Sequence, residues 1–292
     1  MNIPDYPNSR EITIEDKPIF DRIFSENPPD ISAYTFTNIF AWRNAHAMRL
    51  SQIDGCLVIA DQSGCMEPLG SCDAKHAIDE VFRLSMTDEI EFKRVHARVA
   101  ELVKDDPGYI VEYDRDDSDY LYLASDLIDL KGRKYDGKRN WVSRFKSEYD
   151  YEYVRMPHVS PQEAIEFADY WCEQRDCRTN ESLKKEYCAV YEMLSNFDAL
   201  GIIGGAIKVN GSVAAFSLGE ALNPQTLVIH VEKAGSGMNG IYQTINNEFA
   251  THEGAKFEYI NREQDLGIPG LRKAKSSYCP VKMVETYRIR RA

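Results

Sequence analysis

Apolar side chains recur along this chain in two rhythms, every third or fourth residue in some stretches and every second in others. Ile19, Phe20 and Ile23 form a helical stripe over Ile14–Glu26, and Phe36, Ile39 and Phe40 form another over Ser32–Asn44. Strands are predicted at Ala47–Ile53 and Cys56–Ala60, on either side of Asp54-Gly55. That dipeptide favours a two-residue hairpin because both positions tolerate positive φ. Ser63-Gly64 turns the chain into a third strand near Met66–Leu69, and Asp73 is placed to cap a helix running to about Met86. A strand at Ile90–Val95, a helix at Ala97–Lys104 and strands at Tyr109–Tyr113 and Tyr120–Leu123 follow.

The second half repeats the order. Helices are predicted at Pro161–Gln174 and Ser182–Asn196, then strands at Gly201–Val209 and Ser212–Leu218 around Asn210-Gly211. A strand at Thr226–Glu232, a helix at Asn239–His252, a strand at Phe257–Asn261, a short helix at Leu271–Ser276 and a strand at Val281–Ile289 complete it. Each half reads α-α-β-β-β-α-β-α-β, with the two hairpin turns 156 residues apart. The expected fold is α+β, with two similar domains at 1–130 and 151–292. Between them, 131–150 reads as a linker helix, and Lys131–Lys146 carries seven basic residues and one acid.

Charge sharpens this division. The net charge of −12 argues against a broadly basic DNA-binding surface. Residues 1–130 hold 12 basic and 26 acidic side chains, whereas 131–292 hold 23 and 21, so an anionic ligand belongs with the second half. The seven cysteines form no C-x-x-C pair and read as reduced thiols of a cytoplasmic protein. Met1–Arg10 lacks the apolar core of a signal peptide, and no uncharged apolar run nears the ~20 residues of a membrane span. Peripheral contact with a membrane remains compatible with these features. The six histidines show no metal-ligand spacing, so no metal is expected. No G-x-S-x-G elbow is present either.

The most informative segment is Val228-Ile229-His230-Val231-Glu232-Lys233-Ala234-Gly235-Ser236-Gly237-Met238-Asn239-Gly240-Ile241-Tyr242, in which a strand ends, a glycine-rich loop follows and a helix begins. Glycines let backbone N–H groups approach an anion, and the helix start adds partial positive charge. Gly235, Gly237 and Gly240 spell G-x-G-x-x-G, but the preceding strands are joined by a hairpin and only 52 residues remain. A dinucleotide fold needs parallel βαβ units there, and is set aside.

This order of elements resembles the core of the GNAT acyltransferase superfamily. The resemblance implies that Val231 and the loop Lys233–Gly240 hold coenzyme A or acyl-coenzyme A, with Asn239 standing where the superfamily has glycine. Two further stretches, Tyr120–Leu123 with Leu130–Phe145, and Asn261–Tyr278, are similar to an uncharacterised bacterial family. It is related to the C-terminal domain of phosphatidylglycerol lysyltransferases, a tandem of GNAT-like domains also seen in Fem-type transferases. On this resemblance each half is a mixed, mostly antiparallel sheet flanked by helices, and the first is a degenerate copy.

Acyl transfer requires a group that takes the acceptor's proton and one that assists the leaving group. Glu232, Glu263 and Asp265 are candidate bases and Tyr278 a candidate acid, while Asn261, Arg262, Arg272, Lys273 and Lys275 are candidates for binding substrate or phosphate. The acyl donor stays open between a coenzyme A thioester, favoured by the loop, and an aminoacyl-tRNA, favoured by the family resemblance and the basic stretches 131–146 and 271–291. The acceptor is an amine or a hydroxyl. A non-catalytic binding module on the same fold is the third reading.

Overall fold

Both hairpin turns close as the dipeptides require: Asp54 and Gly55 adopt φ of 45° and 84°, Asn210 and Gly211 φ of 51° and 80°. The computed structural model describes residues 2–61, 64–85, 89–175, 177 and 179–292, so Ser63 and Met86 lie outside the described residues. The chain is α+β and divides into two units. The first holds 1–119, 264–269 and 283–292; the second holds 120–263 and 270–282.

In chain order the first unit contains β1 (Arg10–Glu11), α1 (Lys17–Glu26), α2 (Phe36–Trp42), β2 (Arg49–Ile53), β3 (Cys56–Ala60), α3 (Ala74–Leu84), β4 (Glu91–His96), α4 (Ala97–Ala100) and most of β5 (Tyr109–Leu123). Asp73 caps α3 as predicted, its side chain accepting from the His76 N–H. Helix α2 starts later than its apolar stripe suggests because Thr35 is the residue that caps it. The expected strand at Met66–Leu69 is replaced by isolated bridges of Leu69 to Leu57 and Cys65 to Ala60. Ile78, Val81, Phe82, Phe92 and Val95 form the core of this unit.

The second unit continues with α5 (Ala124–Asp129), α6 (Asp136–Glu148), β6 (Tyr151–Arg155), α7 (Pro161–Gln174), α8 (Glu181–Ser195), α9 (Phe197–Leu200), β7 (Ile203–Val209), β8 (Ser212–Asn223), β9 (Thr226–Ala234), α10 (Ile241–Phe249), β10 (Tyr259–Asn261) and α11 (Pro269–Ser276). The chain ends in β11 (Lys282–Arg291). Within the second unit the strands order β10-β9-β8-β7-β6, antiparallel except for the parallel pair β9–β10. Phe145, Ile207, Ala214, Ala215, Ile241 and Ile245 pack between sheet and helices.

The expected boundaries are corrected in three places. Residues 131–150 are no linker, since α6 supplies Phe145 to the core of the second unit. The last strand, assigned to the second half by sequence order, pairs antiparallel with β4 of the first unit. The two strands predicted at 109–113 and 120–123 are one 15-residue strand running through Asp114–Asp119. Acids are disfavoured in strands unless satisfied. Here Asp119 accepts from the backbone and hydroxyl of Ser32, at 2.6 and 2.9 Å, and Asp114 pairs with Arg288. The reading of all cysteines as reduced thiols is corrected too: Cys56–Cys72 and Cys172–Cys177 are disulfides, with Cys65, Cys188 and Cys279 free.

Candidate active site

The parallel pairing of β9 with β10 lasts three residues, Thr226↔Tyr259 to Val228↔Asn261. β9 then runs on to Ala234 while the chain leaves β10, so side chains rather than a ladder bridge the two segments. Arg262 donates from Nε and Nη2 to Glu232 Oε2, at 3.2 and 2.5 Å. Asn246, on α10, donates to Glu232 Oε1 at 2.9 Å. Glu232 is therefore held at both oxygens. The guanidinium also lies over the rings of Tyr278 and Tyr122, 4.7 and 5.7 Å from their centroids. Burial opposes its charge, but Glu232 and the two tyrosines raise its pKa further above the ordinary value.

A second cation lies over Tyr278, with Lys138 Nζ of α6 4.2 Å from its centroid. Burial pushes the Tyr278 hydroxyl up to about 12, and it stays protonated near neutrality. Lys138 donates to Ser277 Oγ at 2.7 Å, and burial followed by repulsion from Arg262 lowers its pKa. Lys275 donates to the Arg262 carbonyl at 2.5 Å, and its own carbonyl accepts from the Tyr122 hydroxyl at 2.8 Å. Among the described residues of the second unit, the buried side-chain polar atoms without a hydrogen-bond partner are Ser217 Oγ, Asn246 Oδ1 and Arg262 Nη1. All three belong to residues grouped around Glu232: Ser217 is its register partner on β8, and the other two donate to it. Buried polar groups are rarely left unmatched, so their clustering marks a polar niche.

The second half of the cluster is a histidine that the sequence reading did not select. The β8–β9 register slips at His230, between Val231↔Leu218 and Ile229↔Gly219. A side chain on Gly219 would place its Cβ 2.3 Å from the Val228 carbonyl, so glycine permits the slip. His230 Nε2 lies 2.9 Å from Glu220 Oε1 and Nδ1 lies 2.9 Å from Glu263 Oε1. Burial opposes the imidazolium, yet the two carboxylates outweigh it and raise the pKa to about 9. Glu263 adopts φ of 58°, with its N–H donating to Asn261 Oδ1 at 2.8 Å. The signal was present in the sequence: Gly219 and Glu220 follow directly on Leu218 within β8, and His230 interrupts the apolar run Leu227–Val231 of β9.

The other expected residues are distributed as follows. Ser236, Gly237 and Asn239 are exposed and Met238 is half-buried. Gly237 has φ of 91° and open space around its Cβ position, whereas a Cβ on Gly240 would lie 2.3 Å from the Trp141 carbonyl. Helix α10 begins at Gly240 without a side-chain cap, and its first N–H, that of Ile241, donates to the Met238 carbonyl at 3.3 Å. Val231, Lys233, Ala234 and Gly235 are buried. Lys233 pairs with Glu186 at 2.7 Å and covers Trp171 at 3.7 Å, so it faces α7 and α8 rather than an anion at the loop. Asp265 belongs to the first unit, fully buried, accepting from Arg115 and the Gly267 N–H at 3.1 and 2.9 Å. That makes it part of a structural turn, not of the Glu232 cluster. Arg272 is half-buried and Lys273 exposed on α11, a helix that buries none of its residues. Among the described residues no group of histidine, cysteine and acidic side chains could hold a metal, and no helix is long and apolar enough to cross a membrane.

Comparison with known proteins identifies the family. The model of the phosphatidylglycerol lysyltransferase C-terminal family matches residues 27–290, and the chain belongs to that family. A crystal structure of a conserved protein of unknown function from Bacteroides thetaiotaomicron is 35% identical, covering 97% of this chain and 99% of that one, with a TM-score of 0.87. A C-terminal domain assigned to a lysylphosphatidylglycerol synthetase of Agrobacterium fabrum is 13% identical over 95% and 92%, with a TM-score of 0.66. L-PGS from Bacillus licheniformis is 15% identical over 100% and 94%, with a TM-score of 0.62. At these identities the last two establish shared fold alone. A search among curated proteins found no match.

Proposed function

We propose that the chain is an acyltransferase of two tandem GNAT-like domains, and that its second unit moves an aminoacyl group from an aminoacyl-tRNA ester to a hydroxyl or amine acceptor. The observation that carries this reading is the arrangement at the end of β10: a carboxylate, Glu263, on a histidine, followed by a clamped Arg262 against a protonated Tyr278. The acceptor's oxygen or nitrogen attacks the ester carbonyl carbon and gives its proton to Glu263. The carbonyl–ribose C–O bond breaks as the new C–O or C–N bond forms, and the departing ribose oxygen takes a proton from Tyr278. Arg262 and Lys138, both over the Tyr278 ring, stabilise the resulting phenolate until solvent reprotonates it from Glu263. Family membership supports a lysyl donor and a phosphatidylglycerol headgroup as acceptor, which calls for peripheral contact with the membrane.

The uncapped α10 and exposed Ser236–Gly237 favour a second reading, in which the donor is a coenzyme A thioester and a C–S bond breaks. The test offers the protein phosphatidylglycerol vesicles with radiolabelled lysyl-tRNA or radiolabelled acetyl-coenzyme A. Label passing to lipid from lysyl-tRNA alone, with a rate falling steeply with salt, is the expected result. Label arriving only from acetyl-coenzyme A would replace the first reading with the second. Binding of either donor without transfer would leave a non-catalytic module.

A further inference from the structure

We propose that His230 and Glu220 are positioning residues for Glu263, forming a buried carboxylate–imidazole–carboxylate relay that fixes and charges the base. The inference rests on the reading of Glu263 as the proton acceptor.

Three observations carry it. His230 has no exposed side-chain surface, and both ring nitrogens meet a carboxylate at 2.9 Å, so its orientation is fixed from two sides. Glu220 and Glu263 keep 18% and 19% of their side chains exposed, so the buried ring connects two partly open carboxylates. The backbone is built around the contact: the β8–β9 slip at His230 needs Gly219, and Asn261 holds Glu263 at positive φ. A residue in that conformation costs on the order of 1 kcal/mol or more, and persists where its surroundings demand it.

Charge explains why two carboxylates are used. A base paired only with an imidazolium would pass from a neutral pair to a net positive one on taking the acceptor's proton. With Glu220 on the far side, the triad passes from −1 to neutral. The second carboxylate thus removes the penalty of leaving a buried cation uncompensated after proton transfer. The neighbouring charges are already committed, since Arg262 and Glu232 neutralise each other beside the triad. His230 bears its proton throughout. It steers Glu263 and donates nothing to substrate.

The test compares wild type, Glu220→Gln, His230→Gln and Glu263→Gln in lysyl transfer from lysyl-tRNA to phosphatidylglycerol vesicles, with folding checked by circular dichroism. Glu263→Gln is expected to lose at least 100-fold in kcat. Glu220→Gln, which keeps a hydrogen-bonding side chain of the same size, is expected to lose 10- to 100-fold in kcat with KM within twofold. Its alkaline limb, near pH 9 in wild type, should move down by a unit or more. Nitrogen-15 spectra of labelled histidine should show His230 doubly protonated at pH 7.5 in wild type, with its titration displaced downward in Glu220→Gln. Unchanged kcat and pH limbs in Glu220→Gln and His230→Gln, beside an inactive Glu263→Gln, would overturn the relay and leave the proposed function standing. Wild-type activity in Glu263→Gln, or a wild type that transfers nothing, would remove the base itself and the relay with it.

Discussion

Each unit of this chain clamps a histidine between two carboxylates, and the two clamps are built for different ends. In the first, His96 on β4 has Nδ1 2.8 Å from Glu67 Oε1 and Nε2 3.2 Å from Asp30 Oδ1. Glu67 is sealed in: its second oxygen accepts from the backbone of His96, and its own N–H donates to the Tyr34 hydroxyl, which in turn donates to the Arg94 carbonyl. Its outer partner, Asp30, is 60% exposed and reaches the ring from the surface. In the second unit the histidine is buried too, but both carboxylates stay partly open, and Glu263 follows the clamped Arg262 at the end of β10. The same three functional groups make a backbone staple in one place and a poised carboxylate in the other. What separates them is that Glu67 is sealed, whereas both carboxylates of the second clamp keep exposed surface.

The largest expected difference comes from the arginines that flank the clamps. Arg262→Ala leaves the partly exposed Glu232 without its cation, held by Asn246 alone, and should cost about 3 kcal/mol in denaturant unfolding. Arg98→Ala removes a side chain 57% exposed, and less than about 1 kcal/mol is expected. Equal losses would show that the first clamp is as tightly coupled as the second.

Next is the dependence of stability on pH. His230, raised to about 9 from an unfolded value of 6.5, contributes stability that is complete below pH 6.5 and lost as pH rises through about 9. Unfolding free energy should therefore fall by a few kcal/mol between pH 7 and 10, and His230→Gln should flatten that decline. His96 is raised as well, with burial opposing and Asp30 and Glu67 outweighing it, so His96→Gln removes a decline of the same sign. A wild-type stability that rises with pH over this range would contradict both assignments.

A smaller contrast tests the loop. Gly240→Ala brings a Cβ against the Trp141 carbonyl at positive φ and should cost about 2 kcal/mol. Gly237→Ala meets open space and carries only the cost of its φ, about 1 kcal/mol, so it is the better probe of anion binding at the loop.

Local sequence signals made most elements legible: the Asp-Gly and Asn-Gly turns, the Asp73 cap and the stripe of Pro161–Gln174 recur as read. What escaped depends on contacts distant in sequence. Asp114–Asp119 looked like a break between strands because the residues that satisfy it, Ser32 and Arg288, lie far away in the chain. The return of β11 to the first unit is likewise a pairing with β4 that no local pattern encodes. At the site, Glu232, Arg262, Glu263 and Tyr278 were singled out by residue type near a strand end, and three of them meet around the Arg262 guanidinium. Asp265 shared the same signature but is consumed by Arg115, a partner 150 positions away. His230 was not selected, because the groups that satisfy it, the candidate base and a second carboxylate, lie 33 and 10 positions away.

The central claim is that chemistry belongs to the second clamp, whose Glu263 follows the paired Arg262 at the end of β10. Single-turnover lysyl transfer to phosphatidylglycerol vesicles by Glu263→Gln and by Glu67→Gln, each at a temperature where circular dichroism shows it folded, tests this most directly. The account predicts a rate at least 100-fold below wild type for Glu263→Gln and within about threefold of wild type for Glu67→Gln. A near-normal rate in Glu263→Gln, with transfer lost in Glu67→Gln, would place the chemistry in the first unit and contradict it.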